Sequence, residues 1–311
     1  MEKIFLLRSK GSLKKFIVTL RNLFLLTIAS ISFCTASVIL KKLPTCTAGL
    51  CTIKNFLATA MQPVGQTLYI WGGGWFKHEG KDGDITYGSN KIGMYPEWKE
   101  FYEKQKSDYN FCDYAISENG IAIAPLEQYL HVGLDCSGFV GWTVYNTLNT
   151  ESEKSVFVNT AKTMAKIFSE KNKFGTYNDF GQIEKIRPGD IISITNEWVS
   201  SHVYIALGQC EDGSIVTIQS TPPGVRILGT QNHEGNYDSQ AAKLAENYMS
   251  KYYPEWYAKF PQCKATKPND YRKDSSQMIW EISESSIMKD PDGYRNMRPE
   301  EVLKDLFDEK S

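Results

Sequence analysis

The chain is poor in histidine. It has four in 311 residues, His78, His131, His202 and His233, and no two share helical spacing. None of the seven cysteines forms a Cys-x-x-Cys pair, so the ligand spacings of a structural or catalytic zinc site are missing and no metal is expected. The sequence also lacks a charge excess: the formal net charge is −1, and no long basic run follows the N-terminus, which excludes the electrostatic footprint of a nucleic-acid binder. No nucleic-acid partner is expected. The glycine-rich Trp71-Gly-Gly-Gly-Trp75 is not followed by Lys-Ser/Thr, so it reads as a tight turn rather than a phosphate loop, and no cofactor is implied. There is no internal repeat and no low-complexity tract.

What is present is apolar and aromatic material, 41% and 13% of the chain, enough for one large domain or one domain with appendages. Residues 1–22 form a basic N-terminus carrying Lys3, Arg8, Lys10, Lys14, Lys15 and Arg21. Residues 23–40, "LFLLTIASISFCTASVIL", carry no charge and reach the lower limit for crossing a bilayer. Lys41 and Lys42 favour a retained anchor, while the small residues near Ala36 and Ala48 leave a cleaved signal open. The charge before the segment predicts a cytoplasmic N-terminus, a membrane contact through residues 23–40, and an extracytoplasmic remainder. With Cys34 inside the segment, six cysteines are left, and their pairing stays open.

Along the exported part, "TIKNFLATAMQPVGQ" predicts a short helix and "TLYIWGGGW" a strand entering a glycine turn. "YPEWKEFYEKQK" predicts a helix within a long polar and aromatic stretch. A helix starting at Cys136 would bury Phe139, Val140, Val144 and Leu148. "VFVNTAKTMAKIFSEKN" predicts a second amphipathic helix. The period then changes: "GDIISIT", "SHVYIALGQ", "SIVTIQS" and "GVRIL" alternate between turn residues and predict an antiparallel sheet. Helices first and a meander second make an α+β domain with helices on one face of the sheet. Beyond Gly229, "SQAAKLAENYMSKYY" and "PEEVLKDLF" read as helices and "QMIWEI" as a strand.

Chemistry concentrates at "GLDCSGFVGW". Asp135 is a good N-cap for a helix beginning at Cys136, and a thiol in the first helical turn meets unpaired N–H groups that favour thiolate. The competing reading is a buried cysteine acting as a small hydrophobe. His202, at the start of "SHVYIALG", is the candidate base, with Val203, Ile205 and Leu207 facing the core. Gln219 in the next strand can come opposite it and accept a hydrogen bond from Nδ1–H, fixing the tautomer.

Taken in order, "YIWGGGW", "GLDCSGFVGW", "RPGDIISI", "SHVYIALG" and "IQSTPPGVRI" resemble the NlpC-type papain-like cysteine peptidases over residues 53–228. The resemblance implies a papain-like α+β fold and hydrolysis of peptidoglycan stem peptides, commonly between D-glutamate and the following diamino acid. Cys136 would be the nucleophile, His202 the base and Gln219 the orienting residue, with Tyr69, Asp135, Ser137, Ser201 and Tyr204 around the substrate. Asp135 and Ser137 would meet the free amine of the stem peptide. Two departures stand out. Tyr204 and Ala206 replace the family's glycine and tyrosine after the histidine, reshaping the floor beside it, and an insertion at residues 76–132 is expected to shape substrate access. Residues 229–311 form a C-terminal extension expected to pack on the core. Two rival readings are an amidase with the same Cys and His chemistry and a catalytically silent wall-binding module.

Overall fold

Helix α1, Ile53–Met61, starts where the Thr52 hydroxyl accepts the Asn55 N–H at 3.2 Å. It stops before Pro63, which has no amide proton to continue it. Helix α2, Pro96–Lys104, opens on proline, whose fixed φ suits the first helical position. Helix α3, Cys136–Leu148, is buried along nearly its whole surface and ends at Asn149, which takes a left-handed conformation. Its polar residues are housed by back-bonding. Thr143 donates to Phe139 O, Thr147 to Thr143 O and Asn146 to Trp142 O, at 2.8–2.9 Å.

The computed structural model describes residues 42–75, 77–79, 84–86, 93–114, 129–149, 156–194, 201–261 and 274–309. The basic N-terminus, the apolar segment 23–40, Cys34 and Cys263 lie outside the described residues. Among the described residues, no helix is long and apolar enough to cross a membrane.

Strands β1, Lys77–Glu79, and β2, Asp84–Thr86, make a small antiparallel pair. The main sheet has six strands: β3 Gly175–Asn178, β4 Ile191–Ile194, β5 His202–Gln209, β6 Ile215–Thr221, β7 Gly224–Gly229 and β8 Ser275–Trp280. Their order is β3-β8-β4-β5-β6-β7, with every neighbouring pair antiparallel. The expected meander is therefore β4 to β7, and the fold is α+β. The predicted strand "QMIWEI" lies inside the sheet rather than at its margin, so the C-terminal extension builds part of it.

Side-chain alternation divides the sheet into two faces. Val203, Ile205 and Leu207 join Val216, Ile218 and α3 in the main core, while Tyr204 and Ala206 join Ile183, Ile186, Ile192 and Ile215 in a smaller cluster. Helix α3 packs between α1 and strands β5 and β6, which places its N-terminus near the start of β5. Helix α4, Gln240–Tyr252, lies against β7; α5, Pro254–Lys259, follows it, and α6, Pro299–Leu306, approaches β5.

Two sequence expectations fail locally. "TLYIWGGGW" is not a strand: it makes one antiparallel bridge, Leu68 to Gly224, and then turns, because its later amides and carbonyls serve the Cys136 segment. The second amphipathic helix is short, Met164–Lys166, and runs into a π-helical turn at Ile167–Lys171. There Ser169 Oγ bonds both Ala165 O and Thr176 O, tying the turn to β3.

Candidate active site

The segment before Cys136 is held on three sides, twice by backbone and once by a side-chain hydroxyl. Leu134 N–H donates to Leu68 O at 3.1 Å, Asp135 N–H donates to Gly73 O at 2.8 Å, and the Ser220 hydroxyl donates to Leu134 O at 2.6 Å. Both motif glycines follow from that closeness. A Cβ on Gly133 would stand 2.5 Å from Leu68 O, and one on Gly138 would collide with Gly73 O. The glycine turn that sequence reads as a tight turn is therefore the bed on which α3 starts.

Asp135 caps the helix as its sequence position suggests. Its Oδ1 accepts the Gly138 N–H at 2.6 Å and the Ser137 hydroxyl at 2.8 Å, and the backbone N–H groups of Ser137 and Gly72 add to the set. Burial pushes its carboxyl up from the usual carboxylate range, against the pull of these donors.

Cys136 is 7% exposed, and its thiol is in hydrogen-bond contact with the Val203 N–H, next to His202. Burial and the neighbouring Asp135 carboxylate push this thiol up to about 12. Both influences oppose the thiolate that the helix terminus favours. The helix terminus supplies only about half a positive charge, whereas desolvation and a full negative charge one residue away act against the anion.

His202 is half-buried at the first position of β5. One of its ring nitrogens, Nε2, lies 2.6 Å from Gln219 Oε1, not the Nδ1 that sequence reading assigned. Gln219 sits on the sheet behind the ring, so the far nitrogen reaches it. The tautomer follows from the rest of the chain of bonds. Thr217 Oγ1 donates its one proton to Leu228 O at 3.0 Å, so it accepts from Gln219 Nε2 at 2.8 Å. Gln219 Oε1 must then face the histidine and accept from Nε2–H. Nδ1 is left with its lone pair. Burial lowers the His202 pKa, and the bond to Gln219 raises it back only in part. Both shifts favour the uncharged forms, a thiol and a neutral imidazole.

Around this pair the remaining predicted residues separate. Tyr69 is half-buried; its N–H donates to Pro223 O at 2.8 Å, its ring meets Phe111 edge-on at 5.2 Å, and its hydroxyl is raised by burial and then by the nearness of Cys136 and Asp135. Ser137 is engaged with Asp135. Ser201 is half-buried directly before His202. Tyr204, expected beside the substrate, is 3% exposed: its ring packs 6.2 Å from the His202 ring within the smaller cluster, because alternation turns it into that layer. Sequence reasoning missed Thr217, Ser220 and Tyr109. Thr217 had a signal, since it precedes Gln219 by one strand repeat.

No protein-family model, curated protein or solved structure matches the chain. Among the described residues, no three His, Cys, Asp or Glu side chains gather as a metal site.

Proposed function

We propose that the chain is an extracytoplasmic cysteine peptidase of the NlpC type, held at the membrane through residues 23–40, that hydrolyses peptidoglycan stem peptides. One observation carries the reading: a thiol at the first position of a buried helix sits against the strand that begins with His202, whose tautomer is fixed by Gln219. A cysteine buried only for packing would not need that histidine chain. The helix-on-sheet arrangement, with the nucleophile at the helix N-terminus, supports a papain-like fold.

The chemistry follows from the neutral pair. As Cys136 Sγ attacks the carbonyl between D-glutamate and the diamino acid, His202 Nδ1 takes the thiol proton. The developing oxyanion is met by the Cys136 N–H at the helix start. On collapse, the C–N bond breaks and His202 returns that proton to the departing amine, leaving a thioester on Cys136. Water then gives one proton to Nδ1 and adds to the thioester carbonyl; the C–S bond breaks, the acyl group leaves as its carboxylic acid, and Nδ1 returns the proton to Cys136 Sγ. Gln219 keeps Nε2 protonated throughout, so Nδ1 is always the working nitrogen.

The amidase reading gains from one observation. The Asp135 carboxylate is already served by four protein donors, which weakens its recognition of a free substrate amine. A single digest separates the two. Purified peptidoglycan is treated with the detergent-solubilised chain and the products are read by mass spectrometry. New N-termini on the diamino acid support the endopeptidase, and stem peptides freed from sugar support the amidase. Cys136→Ala should lose activity on the order of 10⁶-fold. Undiminished cleavage by that variant overturns the mechanism, and intact peptidoglycan after treatment with the wild type favours the silent module.

A further inference from the structure

Tyr69 lies within electrostatic reach of Cys136 and Asp135, and its main chain is bonded on both sides. Its N–H goes to the β6–β7 turn at Pro223 O. Its carbonyl accepts the Tyr109 hydroxyl at 2.6 Å. Tyr109 comes from the insertion, forty residues further along the chain, and the same insertion supplies Phe111, edge-on to the Tyr69 ring. Tyr109 is itself placed by aromatic packing, against Phe101 at 6.1 Å and stacked on Tyr114 at 5.6 Å. Helix α2 carries Phe101, and Trp98 of the same helix donates to His131 O at 3.1 Å, just before the motif. The insertion therefore grips the Tyr69 turn from one side while the helix start grips it from the other, through Leu68, Gly72 and Gly73.

We infer that Tyr109 is a positioning residue: its hydroxyl fixes the Tyr69 main chain, and thereby the substrate-facing turn 69–73 beside Cys136. The inference rests on the peptidase reading for the role of Tyr69, but the turn's restraint does not. Removing the hydroxyl frees the Tyr69 carbonyl and leaves the aromatic stack intact. The His202 and Gln219 pair is held by bonds outside the turn, and the Cys136 segment keeps its bonds from Leu134 to Leu68 O and from Ser220 to Leu134 O.

The test compares wild type with Tyr109→Phe in the full chain, with Phe111→Leu as a second variant in case the first is silent through ring packing alone. Hydrogen exchange followed by mass spectrometry should show residues 69–73 exchanging about tenfold faster in Tyr109→Phe, the effect of one lost neutral hydrogen bond, with residues 203–208 and 215–220 unchanged. KM for a stem peptide should rise about tenfold with kcat within about twofold. Alkylation of Cys136 by iodoacetamide should keep its pH profile. Faster exchange in Phe111→Leu alone would assign the restraint to ring packing instead, and unchanged exchange over 69–73 in Tyr109→Phe overturns the inference. So does faster exchange spread evenly over the sheet, which would mark a general loss of stability. A wild type that cleaves no stem peptide overturns the peptidase reading and leaves the exchange result to decide the positioning role.

Discussion

Two buried aspartates in this protein are accommodated in different ways. Asp135 is surrounded by neutral donors: Ser137 and Gly138, close in sequence, and the Gly72 amide from the glycine turn. Asp190, fully buried, accepts from Arg187 N–H at 2.7 Å, Gln277 Nε2 at 2.6 Å and Arg295 Nη1 at 2.5 Å. The first carboxylate keeps its negative charge unmatched by any of these partners, and so disfavours a thiolate next door. Opposite a guanidinium, the second becomes a lock. It joins the Arg187-Pro188-Gly189-Asp190 turn to β8 and the C-terminal extension, and the same turn bonds β5 through Ala206. Charge with local dipoles serves a site; charge with a distant countercharge serves the frame.

The largest expected effect breaks the lock. Arg295→Met leaves a buried carboxylate without its countercharge and should destabilise the protein by about 3–5 kcal/mol, read from urea unfolding midpoints. Adding Asp190→Asn to that variant should restore a large part of the loss, because the orphaned charge is gone. A midpoint for Arg295→Met equal to wild type would show that the pair does not hold the extension.

Breaking the other carboxylate is gentler and moves chemistry as well as stability. Asp135→Ala removes the helix cap and should cost about 1–2 kcal/mol. Asp135→Asn keeps an acceptor for the Gly138 N–H but removes the charge, so the upward push on the Cys136 thiol should weaken. The rate of alkylation by iodoacetamide should climb without a plateau from pH 7 to 10 in wild type, and the variant's profile should lie at lower pH. A wild-type plateau beginning below pH 8 would mean that a thiolate and imidazolium pair exists at rest.

The same contrast explains what sequence reading reaches. Asp135 and the Gly138 N–H it caps are three residues apart, and the alternation of β4 to β7 is written in consecutive side chains, so both are legible. The approach of Gln219 to His202 is legible too, because one hairpin joins their strands. Arg295 lies 105 residues from Asp190, and no local pattern joins them. Strand β3 is a short polar segment, Gly-Thr-Tyr-Asn, whose pairing with β8 depends on chain brought from a hundred residues away. Tyr109 is hidden for the same reason. The upward push on the Cys136 thiol is hidden too, because helix position is visible in sequence and the degree of burial is not.

The smallest effect concerns the two titrating neighbours, whose signs oppose each other. The folded His202 pKa lies below its ordinary 6.5, so between the two values the unfolded chain binds a proton that the folded chain refuses. Its contribution to stability is present above pH 6.5 and is lost as the pH falls through that window, by at most about 1.4 kcal/mol per pH unit. Asp135 is raised, so the folded chain binds its proton first and that group favours folding as the pH falls towards its folded pKa. Unfolding midpoints at pH 7.5, 6.5 and 5.5 for wild type and His202→Asn should therefore diverge, with wild type losing stability faster. Parallel curves would show that the imidazole is solvated, and the neutral pair on which proton transfer through Nδ1 depends would have lost its physical basis.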